Sequence, residues 1–351
     1  MKFIDTEEEL KHAAEELKTD LGIDLECENN LHHYGTYLSI VQISTENKVW
    51  VVDVLSIKDL TPMINILQDD KYQKVFHDTS FDFRILKHEL NCQPKNIFDT
   101  QIALELLGKK ELGLGSALKD YFGIEKQCKF QMADWTKRPI NKDMLEYASK
   151  DTEYLLRLRD ILIRKLREKN RLSWANEEFL HIEKQGLNMK EQDFMDIKGM
   201  KSLSEKERAI AKRIINLRER IARKIDKPVH FVISNAKILE IVKGNITFEV
   251  WKNIKSVHPI VKRKAFLFYS ECKKGANEKV YYHPQKGKRM SINSQQFMVK
   301  LQAARDKAAE KLGIDAYLIL NKEQMIKISV NRNMRIARKW QKEIMSEYFD
   351  G

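Results

Sequence analysis

The chain has little of what marks a membrane, secreted or low-complexity protein. Among 351 residues there are only 6 prolines and 13 glycines, which excludes a collagen-like or linker-dominated chain. No stretch approaches the roughly 18 consecutive apolar residues of a membrane helix. The best run, Val49–Leu55, is interrupted by Asp53. The first residues carry Asp5, Glu7, Glu8 and Glu9, not the basic-then-apolar order of a secretory leader. Four cysteines, Cys27, Cys92, Cys128 and Cys272, lie far apart with no Cys-x-x-Cys pair. That argues against a zinc knuckle or a disulfide framework and for a reducing, cytoplasmic compartment.

What is present is apolar content sufficient for packed cores, 42% of residues, and a length that predicts two or three domains. Charge is divided unevenly. Residues 1–150 hold 19 Lys+Arg against 26 Asp+Glu, a net of −7, whereas residues 151–351 hold 44 against 25, a net of +19. An acidic front and a strongly basic rear suggest a polyanionic partner held mainly by the rear, although solvated helix faces produce the same excess.

The first 110 residues interleave strand and helix patterns. A helix is expected over Glu7–Leu17, and strands over Gly22–Glu26, Tyr37–Ile43, Val49–Val54, Lys74–His77 and Asn96–Asp99. Helices are expected over Phe81–Leu90 and from the last strand through Leu107, so this part reads as an α/β layer. Beyond residue 111 the strand signal fades. Asp143–Lys169 reads as one long helix and Glu205–Ile225 as another, with Ile210, Ile214, Leu217, Ile221 and Ile225 at helical spacing. Leu217–Val242 can be laid on Ala304–Ser329 without a gap at an offset of 87, which reads as two copies of one helical module. The basic stretch Lys273–Arg289 is the linker expected between them.

Three acidic motifs stand out. In Asp24-Leu25-Glu26 on a strand, the two carboxylates share a face and repel unless a cation lies between them; oxygen ligands of this kind suit Mg²⁺ or Mn²⁺. Asp82 falls on the first turn of a helix behind Asp78 and Ser80, where it complements the helix dipole or serves as a further ligand. Tyr147 and Asp151, four apart, stack on one helix face, either as a surface pair or as a phenol beside a metal ligand. His77, near by in sequence, reads as structural. Each motif alone has an ordinary explanation.

Their order resembles the DEDD 3′–5′ exonucleases of the tyrosine subclass, and specifically the ribonuclease D family. Phe98-Asp99-Thr100-Gln101-Ile102-Ala103 through Leu107-Gly108 is similar to that family's DTQIAA…LLG run, and Asp134-Trp135-Thr136-Lys137-Arg138-Pro139-Ile140 to its DWSxRPL segment. Trp340-Gln341-Lys342-Glu343 resembles its closing WRxEL, and the repeated modules resemble its HRDC domains. The chain departs from the family at Cys27-Glu28-Asn29, where Phe-x-Arg is usual, at His32, His33 and Tyr34, and at Cys128, where a lysine is usual.

The resemblance implies an α/β RNase H-like exonuclease domain (1–190) followed by two all-α HRDC bundles (200–275 and 290–351, the second shortened). It implies two divalent ions, Mg²⁺ or Mn²⁺, held by Asp24, Glu26, Asp82 and Asp151, with Asp24 bridging both, and Tyr147 orienting the attacking water. The expected activity is removal of nucleoside 5′-monophosphates from the 3′ ends of tRNA precursors and other structured RNAs. Alternatives are a DNA-directed exonuclease or a non-catalytic RNA-binding scaffold; the intact acid set speaks against the scaffold. RNA affinity is expected from Lys212, Arg213, Arg220, Arg223, Lys224, Lys262, Arg263 and Lys264, through phosphate contacts without base specificity, with Tyr281 and Tyr282 as stacking candidates.

Overall fold

A computed structural model describes residues 1–126, 129–186, 193–283 and 290–349. It divides into two compact units: Met1–Glu26, Leu38–Met189 and Gly287–Gly351 form the first, and Cys27–Tyr37 with Lys190–Lys286 the second. The residues read from sequence as a separate last module, 290–351, thus cluster with the front of the chain. Among the described residues, no helix is long and apolar enough to cross a membrane.

The first unit is built on a six-stranded sheet in the order β1 (Lys2–Ile4), β4 (Val49–Asp53), β3 (Thr36–Ser44), β2 (Leu21–Asn29), β5 (Lys74–Phe76), β6 (Ile97–Asp99). It is mixed: β1–β4, β2–β5 and β5–β6 run parallel, and β3–β4 antiparallel. Near-continuous burial of β3 and β4 reflects a sheet whose central strands are covered on both faces. The covering helices are α1 (Glu7–Glu16), α2 (Thr61–Gln68), α3 (Thr79–Leu90), α4 (Thr100–Leu106), α5 (Leu114–Phe122), α6 (Lys142–Glu153), α7 (Leu155–Glu168) and α8 (Leu172–Gln185). The single helix expected over Asp143–Lys169 is two. Tyr154, at φ −105° and ψ −2°, interrupts it, ending α6 at Glu153 and starting α7 at Leu155.

The second unit contains α9 (Glu205–Ile225), α10 (Val229–Val232), α11 (Asn235–Lys243), α12 (Phe248–Asn253), α13 (Pro259–Arg263) and α14 (Ala265–Gly275). Its core gathers Ile214, Leu217 and Ile221 of α9 with Val232, Ile238, Trp251 and Phe268. A Cβ on Gly275 would come within 2.7 Å of Ile210 Cα, so glycine lets α14 cross α9 closely. The linker expected from Lys273 begins later, because Lys273–Gly275 closes α14; residues 284–289 of that stretch lie outside the described residues.

The last segment returns to the first unit as α15 (Ile292–Leu312), α16 (Ala316–Ile319), α17 (Lys322–Asn331) and α18 (Lys339–Tyr348). α9 and α15 are both 21 residues long and stand 87 residues apart, and each ends in a left-handed residue, Asp226 or Gly313. Arg218 donates to the Ile233 carbonyl at 3.2 Å, and Arg305, its counterpart, to the Leu320 carbonyl at 3.2 Å. The repeat in sequence is therefore a repeat in hydrogen bonding. The copies then diverge. The first stacks Trp251 on Phe268 (4.8 Å between centroids), whereas the second stacks Trp340 on Trp174 of α8 (5.0 Å).

Candidate metal centre

β2 alternates as expected: Leu25 is buried, and Asp24 and Glu26 share the opposite face. Asp151 reaches them from α6. That helix starts at Asn141, whose side chain accepts from Asp143 N at 2.8 Å, and it buries Leu145, Ala148, Asp151 and Thr152 along one side. Its end is tied down where Ser44 Oγ donates to the Thr152 carbonyl at 2.8 Å. Gly22 makes this approach possible, since a Cβ there would lie 2.5 Å from Ser44 Oγ and 3.0 Å from the Thr152 oxygen. As a result one carboxylate oxygen from each of Asp24, Glu26 and Asp151 falls within 4.8 Å of the others.

Asp82 is buried on the first turn of α3. Asp78 caps that helix in a left-handed conformation (φ 67°), accepting from Ser80 N at 3.2 Å. Behind the cap stands Asp99, which accepts from Thr79 N and Thr79 Oγ1, both at 2.8 Å, and from Gln101 N of α4 at 2.8 Å. Thr100 Oγ1 donates to the Phe76 carbonyl at 2.9 Å and lies 2.8 Å from His77 Nδ1. The DTQ motif is thus the brace of the strand-to-helix junction, and His77 is held within it. Asp82 lies outside the tight three-acid group, but Asp24 and Asp82 feel each other's charge.

Burial pushes every one of these carboxyls upward, and repulsion from neighbouring acids adds to it at Asp24, Glu26 and Asp82. Asp24 is pushed up to about 7, by burial first and then by Asp151, against a smaller opposing pull from Lys126. Glu26 is driven well above the usual range by burial, then by Asp24 and Asp151. Asp82 follows through burial and then Asp24, and Asp151 through burial opposed by Lys126. Four carboxyls in one low-dielectric place cannot all ionise unless positive charge joins them. A donor set made wholly of carboxylate oxygens, two from alternate positions of a rigid strand, fits a hard divalent cation such as Mg²⁺ or Mn²⁺.

One cation already stands there. Lys126 Nζ is 2.7 Å from Asp151 Oδ1 and 5.8 Å from the centre of the Tyr147 ring. Lys126 stands two residues before Cys128, which lies outside the described residues, and no sequence pattern marks a lysine on an irregular segment.

Tyr147 shares the α6 face with Asp151, and its ring meets Phe130 edge-on at 5.7 Å and Trp135 at 6.3 Å. Trp135 is fixed in turn: its carbonyl accepts from Ser39 Oγ and from Arg138 at 2.8 Å. Arg138 also grips Asp53 with two bonds of 2.6 Å. The DWxxRP motif is therefore the wall behind the tyrosine. Beside it a cavity of about 380 Å³ is lined by Lys126, Lys129, Phe130, Tyr147, Asp151 and Tyr154.

The expected nucleic-acid cations belong to the second unit and are not alike. Arg220, Lys224 and Lys264 line a groove floored by Leu217, Ile221 and Leu267. Lys262 and Arg263 are exposed on α13. Lys212 lies 5.4 Å from the Phe194 ring. Arg213 is engaged by Glu271 (3.0 Å) and Glu278 (2.9 Å), and Arg223 donates to Tyr34 Oη at 3.3 Å. The charge of Arg213 is therefore met by two carboxylates, whereas Arg223 is exposed and bonded to a neutral hydroxyl. Tyr281 is 60% exposed, whereas Tyr282 has Lys201 and Arg208 over its ring at 5.8 and 5.9 Å. The departures at His33 and Tyr34 also fold into this unit: His33 Nδ1 pairs with Asp226 at 2.5 Å, and Tyr34 N donates to the same carboxylate at 3.1 Å.

Residues 1–167 match a family model described as 3′–5′ exonuclease. Over 99% of this chain and 97% of the relative, the sequence is 28% identical to ribonuclease D of Desulfotalea psychrophila. The fold superposes on Escherichia coli RNase D with a TM-score of 0.75 at 20% identity, covering 99% of this chain and 96% of that one. It superposes on the catalytic core of RRP6 from Trypanosoma brucei with a TM-score of 0.68 at 27% identity, covering 78% and 80%.

Proposed function

We propose that this chain, a 3′–5′ exonuclease of the ribonuclease D and Rrp6 type, shortens RNA from its 3′ end by single nucleotides at the Asp24–Glu26–Asp151 cluster. The observation that carries the reading is the convergence of those three carboxylates, from a strand and a distant helix, beside Tyr147. Asp24, Glu26 and Asp151 would hold one or two divalent ions, with Asp82 contributing from the edge. Bound there, such ions supply the positive charge that activates water and stabilises the departing 3′ oxygen.

The chain's own residues do the rest. Gly22 and the Ser44–Thr152 bond keep Asp151 against Asp24, so the ligand set is preformed. Tyr147, wedged between Phe130 and Trp135, orients the water for in-line attack on phosphorus. A free phenol releases its proton near pH 10, so its part is orientation. Water adds to phosphorus, the bond to the 3′ oxygen breaks, and that oxygen takes a proton, releasing a nucleoside 5′-monophosphate. Helical segments 200–275 and 290–351 are read as HRDC domains, the second shortened, and tRNA precursors as the substrates. Arg220, Arg223, Lys224, Lys262, Arg263 and Lys264, with Lys212, supply phosphate contacts; Arg213, held by two carboxylates, contributes less.

The test uses the full chain, Mg²⁺ or Mn²⁺, and matched 5′-labelled RNA and DNA oligonucleotides. A ladder shortening from the RNA 3′ end, abolished by EDTA and by Asp24→Ala or Asp151→Ala, is expected. Full activity in either variant, or a ladder on DNA alone, overturns the reading.

A further inference from the structure

Lys126 brings positive charge into a cluster of acids, and its contacts are selective. Its ammonium touches Asp151 Oδ1 at 2.7 Å and lies 5.8 Å from the centre of the Tyr147 ring, one helical turn away on the same face of α6. The lysine side chain is 18% exposed and that of Asp151 only 4%, so the pair is largely withdrawn from water. In such a place the loss of one partner leaves the other uncompensated.

The backbone beneath this lysine is not part of a regular element. α5 ends at Phe122, Gly123 takes a left-handed φ of 70°, and residues 124–126 continue as irregular chain. A four-carbon side chain on such a segment can leave one partner for another without unwinding a helix or a strand. An ammonium and a divalent cation also need the same carboxylate lone pairs and repel each other, so they cannot share Asp151 on equal terms.

We infer that Lys126 is a positioning residue that serves as the cluster's internal counter-cation, competing with divalent metal for Asp151. While it pairs with Asp151 it holds the α6 face, and with it Tyr147, against the strand acids. When a divalent ion takes Asp151, the ammonium is released towards the cavity it already lines. The inference rests on the reading of Asp24, Glu26 and Asp151 as a metal site and adds to it a residue that opposes metal entry.

The sign of one measurement separates competition from a merely structural role. A supporting strut, once removed, loosens the site and weakens metal binding, whereas removal of a competitor tightens it. Calorimetric titration of Mn²⁺ into the full chain without RNA should show Lys126→Met binding about tenfold tighter than wild type, and Lys126→Arg within about twofold of it. Lys126→Gln, which keeps a polar end, secures the comparison if the methionine variant folds poorly and should shift affinity in the same direction. In EDTA the neutral variants should melt below wild type, and Mn²⁺ should close that gap. Equal or weaker Mn²⁺ binding by both neutral variants, with saturable binding by wild type, overturns the competition alone. No saturable binding by any form overturns the metal site, and the inference with it.

Discussion

Two sets of carboxylates, on the sheet and on the helices packed against it, have opposite fates. Asp53 is 1% exposed, yet its carboxyl is held below the usual range. Burial pushes it upward, but the hydrogen bonds from Arg138 and Ser56 outweigh that push. Asp99 is likewise supplied by Thr79 and Gln101. Asp24, Glu26, Asp82 and Asp151 are raised instead by burial, with repulsion added at the first three, and at Asp24, Glu26 and Asp151 Lys126 opposes only part of that push. The first set is balanced by the chain; the second is left short of positive charge, which the proposed metal site would supply. A buried acid therefore marks a functional site when its neighbours fail to balance it, and burial alone marks nothing.

The comparison breaks most visibly by substitution on each side. Asp24→Asn should cost activity at least about 10³-fold while leaving the fold intact. In EDTA it should raise the melting temperature, because a repelling charge is gone. Asp53→Ala should do the reverse, destabilising the chain by about 3 kcal/mol by leaving Arg138 without its partner, at the lower end for a broken buried pair because Arg138 reaches solvent. Denaturant unfolding alongside nuclease assays separates the two outcomes. If both variants lose stability alike, the division between the sets is wrong.

A smaller effect is expected at Tyr147. Tyr147→Phe keeps the ring that Phe130 and Trp135 hold, so Mn²⁺ affinity should stay put while kcat falls about 10²-fold. A matching fall in metal affinity would make the phenol part of the ligand set. The smallest effect is on pH dependence. Asp24 is raised to about 7 in the folded chain, against roughly 3.9 when unfolded, so between those values the native state keeps a proton that the unfolded state has released. Stability in EDTA should therefore fall as pH rises through that window, and the fall should be shallower in Asp24→Asn and with saturating Mn²⁺. A melting temperature that rises across the window would contradict the raised value.

Much of this was legible in the residues because it depends on local periodicity. Alternation alone places Asp24 and Glu26 together, i, i+4 spacing places Tyr147 over Asp151, and the apolar stripe of Glu205–Ile225 matches α9 at both ends. The offset of 87 shows in the matching Arg218 and Arg305 bonds and in helix ends at corresponding positions, Asp226 with Gly313 and Ser234 with Asn321. What escaped depends on contacts distant in sequence or on segments without a period. β1 is three residues long, too short to alternate legibly. The break at Tyr154 separates two stretches that share one helical pattern. Gly22 matters only because Thr152, far along the chain, arrives against it, and Lys126 enters the site from an irregular loop. Asp99 and Arg138, which enter the sequence reading only as members of family-like motifs, brace the site through contacts with Thr79 and Asp53.

Calorimetric titration of Mn²⁺ into the full wild-type chain and into Asp24→Asn tests most directly whether the converging acids form a metal centre. Saturable binding by wild type that weakens at least about tenfold in the variant is the expected result, since a shared ligand has been neutralised. Equal binding by the two proteins would place the ion elsewhere and leave the convergence of Asp24, Glu26 and Asp151 without a role.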